Sequence, residues 1–210
     1  MAARAALDRA VAHLAGDPVM GRLIEAFGPP RLELPSSRGR ARGQGEYFAA
    51  LAESVLYQQL AGAAAAAIHR RFLEVLGGEA TPEAVAAAGV DRLRTAGLSA
   101  SKASTISNLA RAVTVGELDL AEAARAPDDE VVASLTALPG IGPWTAQMFC
   151  IFTLGRLDVW PVTDYGVRKG YALAYGLEDL PTPRVLTAMG EPFRPYRSVA
   201  AWYLWRAVEQ

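Results

Sequence analysis

The chain has 210 residues, of which 51% are hydrophobic, and its 21 Lys and Arg residues against 22 Asp and Glu residues leave a net charge of −1. This size allows one substantial core or two smaller ones, which is enough for an enzyme. The single cysteine, Cys150, excludes an internal disulfide and any iron–sulfur cluster held by four cysteines of this chain, and its apolar neighbours predict a core residue.

The apolar stretches of the chain are short. Charged residues interrupt each of them before it reaches membrane-spanning length, and no apolar block follows the first basic residue. We therefore expect a soluble, cytoplasmic protein that makes no contact with a membrane. The near-zero net charge is low for a protein that binds nucleic acid, but the acidic residues crowd between 117 and 130, which leaves room for a local basic face.

Helical patterns dominate from end to end. Ala-rich stretches at 61–76, 81–88 and 104–115 combine helix-forming residues with apolar positions three and four apart. No strand-like alternation stands out, and Gly- and Pro-containing breaks separate about ten helical segments. The sequence predicts an all-α fold.

The stretch 138–146 reads Leu-Pro-Gly-Ile-Gly-Pro-Trp-Thr-Ala. This pattern predicts the end of one helix, a Gly-x-Gly turn and the start of a second helix. Glycines at Gly140 and Gly142 permit unusual backbone angles and close approach of another backbone. The free N–H groups of the turn and of the second helix would then converge where a phosphate can bind.

A carboxylate follows in the segment 161–165, Pro-Val-Thr-Asp-Tyr. Thr163 is the predicted N-cap of a helix that runs from Asp164 to Tyr175. An acidic side chain in the first turn of a helix is stabilised as the anion by the helix dipole. Taken alone, a Gly-x-Gly turn is usually only a turn and an Asp at a helix start is usually only a cap, whereas the two together are more specific.

With these two motifs the chain resembles the helix-hairpin-helix DNA glycosylases, and within them the alkylated-base (3-methyladenine, type II) branch. Three further segments carry the resemblance: 54–61 (Ser-Val-Leu-Tyr-Gln-Gln-Leu-Ala), 93–103 (Leu-x-x-x-Gly-Leu-x-x-x-Lys-Ala) and 195–206, a closing helix with Trp205. The resemblance covers residues 8–208. It implies two helical lobes with the active-site cleft between them.

The resemblance also implies the boundaries of these lobes. One lobe would comprise residues 1–45 and 160–210. The other would comprise residues 46–159 and would end in the helix-hairpin-helix, at about 131–152. The β-rich N-terminal domain of some family members has no counterpart in the region that matches.

The implied reaction is hydrolysis of the N-glycosidic bond of an alkylated purine. Asp164 is the implied catalytic carboxylate, which would stabilise the oxocarbenium-like sugar electrostatically or activate water. The lyase-competent branches carry a lysine at the position of Trp144. Because Trp144 has no amine, we expect a monofunctional enzyme that leaves an abasic site.

The implied base pocket consists of aromatic side chains, which suit a cationic base through stacking and cation–π attraction. Trp144, Tyr165 and Trp205 are its predicted walls, and Met148 stands where a relative has a tyrosine. Trp202 is predicted to be core instead.

The implied DNA wedge, which fills the gap left by the flipped base, is Gln59 with its neighbours Gln58 and Leu60. The alternative is that Gln58 and Gln59 only cap a helix end.

The implied contacts to the DNA backbone come from Gly140, Gly142 and Thr145. In the family the hairpin also holds a monovalent cation, Na⁺ or K⁺, through three backbone carbonyls, which would belong here to Thr136, Leu138 and Ile141. No cofactor is expected to be required.

The expected partner is double-stranded DNA with alkylated bases, bound by a monomer of bacterial type that associates with the nucleoid. Two alternatives stay open. One is a glycosylase of the same fold for another damaged base, and the other is a non-catalytic helix-hairpin-helix module that only binds DNA. Retention of Asp164 speaks against the second, because a carboxylate repels phosphates.

Overall fold

The computed structural model describes residues 2–32, 43–58 and 62–209. Within these ranges every regular element is a helix, which confirms the predicted all-α fold. The α-helices are α1 Ala2–Leu14, α2 Pro18–Phe27, α3 Gln44–Tyr57, α4 Gly62–Leu76, α5 Pro82–Thr95, α6 Ala100–Thr114, α7 Leu120–Ala123, α8 Asp128–Thr136, α9 Pro143–Met148, α10 Tyr165–Tyr175, α11 Pro183–Met189 and α12 Arg197–Val208. A π-helix, Phe149–Thr153, continues α9, and a 3₁₀ turn, Glu191–Phe193, follows α11.

Short polar side chains set where many helices begin. Asp17, Thr81, Ser99, Asp119 and Thr182 each accept a hydrogen bond from a backbone N–H in the first turn of the following helix. These bonds satisfy N–H groups that have no partner inside the helix. A proline in the first turn after three of these caps adds a preset helical φ.

The chain divides into two compact units, residues 1–39 with 150–210 and residues 40–149. The corresponding boundaries predicted from the sequence lie near 45 and 160. The second division of the structure falls within the π-helix that follows α9.

In the first unit the core lies around α12. This helix is buried from Ser198 to Leu204, including Trp202, as predicted for that tryptophan. Helix α10 packs on it, and Gly170 permits the close approach, since a Cβ there would collide with the backbone of Leu204. Cys150 is fully buried, which confirms its predicted core position.

In the second unit α6 occupies the centre and packs against α3 and α5. Its inward face is apolar and buried and includes Ile106 and Leu109. Helix α5 extends beyond the predicted stretch 81–88, with a kink at Gly89, whose φ is +71°. Among the described residues no helix is long and apolar enough to cross a membrane.

Candidate active site

The carboxylate of Asp164 caps α10. Asp164 has extended backbone angles (φ −68°, ψ 125°), and its Oδ1 accepts a 2.7 Å hydrogen bond from the N–H of Val167. The prediction that Thr163 is the N-cap is therefore wrong. Helix α10 begins one residue later than expected, because the Asp164 side chain itself reaches the N–H three residues on.

A second donor holds the same oxygen. Trp205, near the end of α12, donates its indole Nε1–H to Asp164 Oδ1 at 2.8 Å. Hydrogen bonds to an ionised acceptor are stronger than neutral ones. Two donors from different helices therefore set the orientation of the carboxylate, and Trp205 has a polar role besides the predicted aromatic one.

Gly166 makes room for this contact. A Cβ at this position would lie 2.7 Å from Cδ1 of Trp205 and 3.1 Å from Oδ1 of Asp164. The indole reaches the carboxylate only because residue 166 has no side chain. The sequence alone does not reveal the role of Gly166, because a glycine inside a helix carries no chemical signal of its own.

An aromatic surface adjoins the carboxylate. The ring of Phe152 stacks on Trp205, with centroids 5.7 Å apart and planes 27° apart, and Phe152 is 47% exposed. Tyr165, the first residue of α10, is 61% exposed. Phe152 was not predicted, because it ends an apolar run that resembles core. The π-helix places it differently, and such helical irregularities are frequent at functional sites.

The second unit contains the predicted helix-hairpin-helix. It consists of α8, the turn 137–142 and α9. Gly140 has a φ of +91°, and a Cβ there would collide with the hydroxyl of Thr105 on α6. Gly142, the N-cap of α9, has an ordinary φ of −91°, and a Cβ there would meet no atom within 4 Å. Gly140 is thus needed for packing, whereas Gly142 leaves open space in front of the turn.

The three predicted residues on α9 differ in the exposure of their side chains. Trp144 is 37% exposed, whereas Met148 is buried. Thr145 is only 2% exposed, and its hydroxyl accepts a 2.8 Å hydrogen bond from the side chain of Gln58. Its side chain is therefore directed into the unit, which leaves its backbone for a contact with DNA.

The predicted wedge lies at the end of α3. Gln58 is the C-cap of that helix, whereas Gln59 and Leu60 lie outside the described residues. The Nζ of Lys102 donates to the carbonyls of Leu56 (2.8 Å) and Gln58 (2.7 Å). Partial burial lowers the pKa of the Lys102 ammonium from its usual value.

The three carbonyls predicted to hold a cation belong to the hairpin. The carbonyl of Leu138 also accepts a 3.1 Å hydrogen bond from the N–H of Ile141 within the turn. A carbonyl oxygen has a second lone pair, so this bond is compatible with a cation contact. In the part of the chain that the structure describes, no group of three or more His, Cys, Asp or Glu side chains is arranged to hold a metal ion.

The glycine hairpin between α8 and α9 and the carboxylate at the start of α10 both lie in a stretch that matches a family of DNA repair proteins. The chain belongs to the HhH-GPD superfamily of base excision DNA repair proteins, whose family model matches residues 52–195. Its similarity to named relatives then places it in the 3-methyladenine DNA glycosylase branch. It is 34% identical over 204 residues to DNA-3-methyladenine glycosylase 1 of Schizosaccharomyces pombe, which covers 95% of this chain and 87% of the relative.

Two solved structures agree with this placement. The 3-methyladenine DNA glycosylase of Schizosaccharomyces pombe, in complex with abasic DNA, matches with a TM-score of 0.81 and 32% identity over 96% of this chain and 97% of that one. The DNA-3-methyladenine glycosidase of Bacillus halodurans matches with a TM-score of 0.77 and 36% identity over 93% of this chain and 86% of that one.

Proposed function

We propose that this protein is a monofunctional DNA glycosylase that flips alkylated purines, such as 3-methyladenine and 7-methylguanine, out of duplex DNA and hydrolyses their N-glycosidic bond. The names of the relatives support the substrate class. The observation that carries the reaction is the Asp164 carboxylate, held at the start of α10 by two donors on one oxygen.

Cleavage of the N-glycosidic bond of an alkylated purine needs little more than a negative charge held near C1′. Alkylation at N3 or N7 makes the purine cationic and therefore a good leaving group. As the C1′–N bond breaks, its electron pair leaves with the base and the sugar becomes oxocarbenium-like. A preorganised carboxylate near C1′ lowers this barrier electrostatically, and Asp164 is also suited to orient the attacking water.

Aromatic side chains supply the proposed contacts to the cationic base. Trp205 and Tyr165 adjoin Asp164, and Phe152 extends the same surface through its stack on Trp205. Stacking and cation–π attraction favour a charged base over a neutral one by about 1–2 kcal/mol in desolvated surroundings. Trp144 and Met148 on α9 are further proposed contacts to the base, as the resemblance to the family implies.

The hairpin is the proposed anchor for the DNA backbone. Gly142 leaves the turn open to a phosphate, and Gln59 is the proposed side chain that enters the duplex at the lesion. The carbonyls of Thr136, Leu138 and Ile141 are the proposed ligands of a K⁺ or Na⁺ ion. Exchanging K⁺ and Na⁺ for tetramethylammonium at constant ionic strength should weaken duplex binding, and unchanged binding would rule the cation out.

The absence of an amine at Trp144 supports the monofunctional part of the proposal. A lyase needs a nucleophilic amine that attacks C1′, and tryptophan offers none. We further propose that the enzyme acts as a monomer in the cytoplasm.

The test compares wild type with Asp164→Asn on methylated duplex DNA. Asn is as good an N-cap as Asp, and its amide oxygen can accept both hydrogen bonds, so the variant should fold normally. We expect wild type alone to release 3-methyladenine or 7-methylguanine, measured by chromatography, and strand cuts to appear only after alkali. Cuts without alkali would contradict the monofunctional reaction.

Other outcomes of this experiment distinguish the proposed function from its two alternatives. Release by both proteins would remove Asp164 from the mechanism. If neither released alkylated bases, duplexes with other lesions would distinguish a different specificity on this fold from a protein that only binds DNA.

A further inference from the structure

Helix α6 joins the two parts of the second unit that are proposed to contact DNA. Lys102 and Thr105 lie one turn apart on the same face of this helix. Lys102 binds the end of α3, through the carbonyls of Leu56 and Gln58, whereas Thr105 packs directly against Gly140 in the hairpin turn.

A third contact links the end of α3 directly to α9. The side chain of Gln58 extends from the end of α3 to α9 and donates to the buried hydroxyl of Thr145. The end of α3, α6 and the hairpin are thus connected in pairs. We call this set, made of Lys102, Gln58, Thr145, Thr105 and Gly140, the brace.

The chemistry of the brace suits a rigid link. The carbonyls at the end of α3 carry the negative pole of the helix dipole and lack partners within the helix, and the ammonium of Lys102 supplies both charge and donors. The hydroxyl that accepts the Gln58–Thr145 bond is buried, so water competes poorly for this acceptor. Neither contact involves Asp164 or the aromatic surface around it.

We propose that Lys102 and the Gln58–Thr145 hydrogen bond are positioning elements that couple the backbone anchor to base extrusion. They hold Gln58, at the end of α3, at a fixed position relative to the hairpin. A phosphate bound by the hairpin then determines where the end of α3 meets the duplex, which lowers the barrier to opening the base pair there. This inference rests on the proposed function, in which Gln59 enters the DNA.

The proposal predicts a defect in extrusion and none in chemistry. Extrusion costs a few kcal/mol for a paired base and less for an unpaired one. The decisive readout is therefore the ratio of single-turnover excision rates for 7-methylguanine paired with cytosine and for the same lesion opposite a tetrahydrofuran abasic analogue.

Two variants remove one link each. Lys102→Met keeps the length of the side chain without its charge, and Thr145→Val removes the acceptor of Gln58 with little change in volume. We expect each to lower the rate on the paired lesion roughly tenfold, which is the loss of one good hydrogen bond, and to change the rate on the unpaired lesion by less than about twofold. Binding of undamaged duplex by Lys102→Met should stay close to that of wild type.

Matched variants test the physical cause. Lys102→Arg keeps a cation with donors, and Thr145→Ser keeps the hydroxyl, so each should restore most of the wild-type ratio. Thr114→Val makes the same chemical change on α6 at an exposed threonine whose hydroxyl donates to the carbonyl of Ala110 in its own helix, and its ratio should equal that of wild type.

Equal losses on both substrates, or no loss on either, would overturn the proposal. Melting temperatures identify a variant that fails to fold. If Lys102→Met or Thr145→Val fails in this way, the other of the two variants tests the proposal. If wild type released no base at all, the proposed function would fail instead. The brace is then tested by binding alone, through the fluorescence of 2-aminopurine paired with thymine in the duplex, where extrusion has to open a base pair. Wild type should change this signal more than either brace variant does, and identical changes would overturn the brace.

Discussion

The indole N–H of Trp205 and the backbone N–H of Val167 both donate to Oδ1 of Asp164, at 2.8 and 2.7 Å. Trp205 therefore orients the carboxylate, in addition to its proposed contact with the base. Because Trp205 stacks on Phe152 as well, the aromatic surface and the Asp164 carboxylate are connected through the same indole within one unit. A change in the aromatic surface should consequently alter the rate of the chemical step.

The role of this hydrogen bond is tested by Trp205→Phe. Phenylalanine keeps an aromatic face but cannot donate. A hydrogen bond to a charged group contributes about 1.5–3 kcal/mol, so we expect single-turnover excision to fall roughly 10- to 100-fold. The rate is measured with excess enzyme on a defined 7-methylguanine duplex.

A double-mutant cycle separates this role from simple stacking. If Trp205 acts through Asp164, adding Trp205→Phe to Asp164→Asn should cost much less than Trp205→Phe costs in wild type. Fully additive losses would show instead that Trp205 contributes only as a ring.

Gly166→Ala should impair catalysis with a modest effect on folding. The new methyl group would press against the indole of Trp205 and against Oδ1 of Asp164. The helix itself gains about 0.5–1 kcal/mol from the replacement of Gly by Ala, which offsets part of the steric cost. We expect at least a tenfold loss of excision and a melting temperature within a few degrees of wild type.

The control for this variant is Gly45→Ala, a helical glycine in α3 whose added Cβ meets no atom within 4 Å. It should excise at the wild-type rate. If Gly166→Ala also excised at the wild-type rate, the hydrogen bond between Trp205 and Asp164 would not be needed for excision.

The two hairpin glycines should respond differently to alanine. Gly142 has a φ that any residue adopts and open space at its Cβ, so Gly142→Ala should cost only the weaker N-cap that Ala makes, which corresponds to a fall in melting temperature of about 2–4 °C or less. If a phosphate approaches this turn, the methyl group obstructs it. Affinity for duplex DNA, measured by fluorescence anisotropy, should then fall roughly tenfold whether or not the DNA is damaged.

Gly140→Ala is the contrasting case. The positive φ and the collision with Thr105 should destabilise the fold by about 2 kcal/mol or more, which corresponds to a fall of about 4–8 °C in melting temperature. If Gly142→Ala changed only the choice of base, the hairpin would not be the backbone anchor.

Features that depend only on residues close together in the chain could be predicted from the sequence. The spacing of Gly140 and Gly142 predicted the hairpin, and the position of Asp164 predicted a carboxylate in the first turn of a helix, because both involve interactions over a few residues. The error at Thr163 is of the same local kind. Two adjacent residues that both favour N-caps cannot be ranked without knowing where the helix begins.

The remaining contacts join residues that are far apart in the chain. Trp205 and Asp164 are 41 positions apart, Lys102 and Gln58 are 44 apart, and Gln58 and Thr145 are 87 apart. No periodicity connects such pairs. The role of Gly166 is equally invisible in the sequence, because it depends on which side chain of another helix passes over that position.

The sequence by itself determined the helical class, the hairpin and the residue types that suit this chemistry, since propensity, capping and glycine geometry act within one or two turns. The tertiary structure decided which donors hold Asp164, that Phe152 extends the aromatic surface, and that α6 ties the end of α3 to the hairpin. The physical reason is that these features arise when separate helices pack. Packing is set by the shape of the whole core, and short stretches of sequence do not encode it.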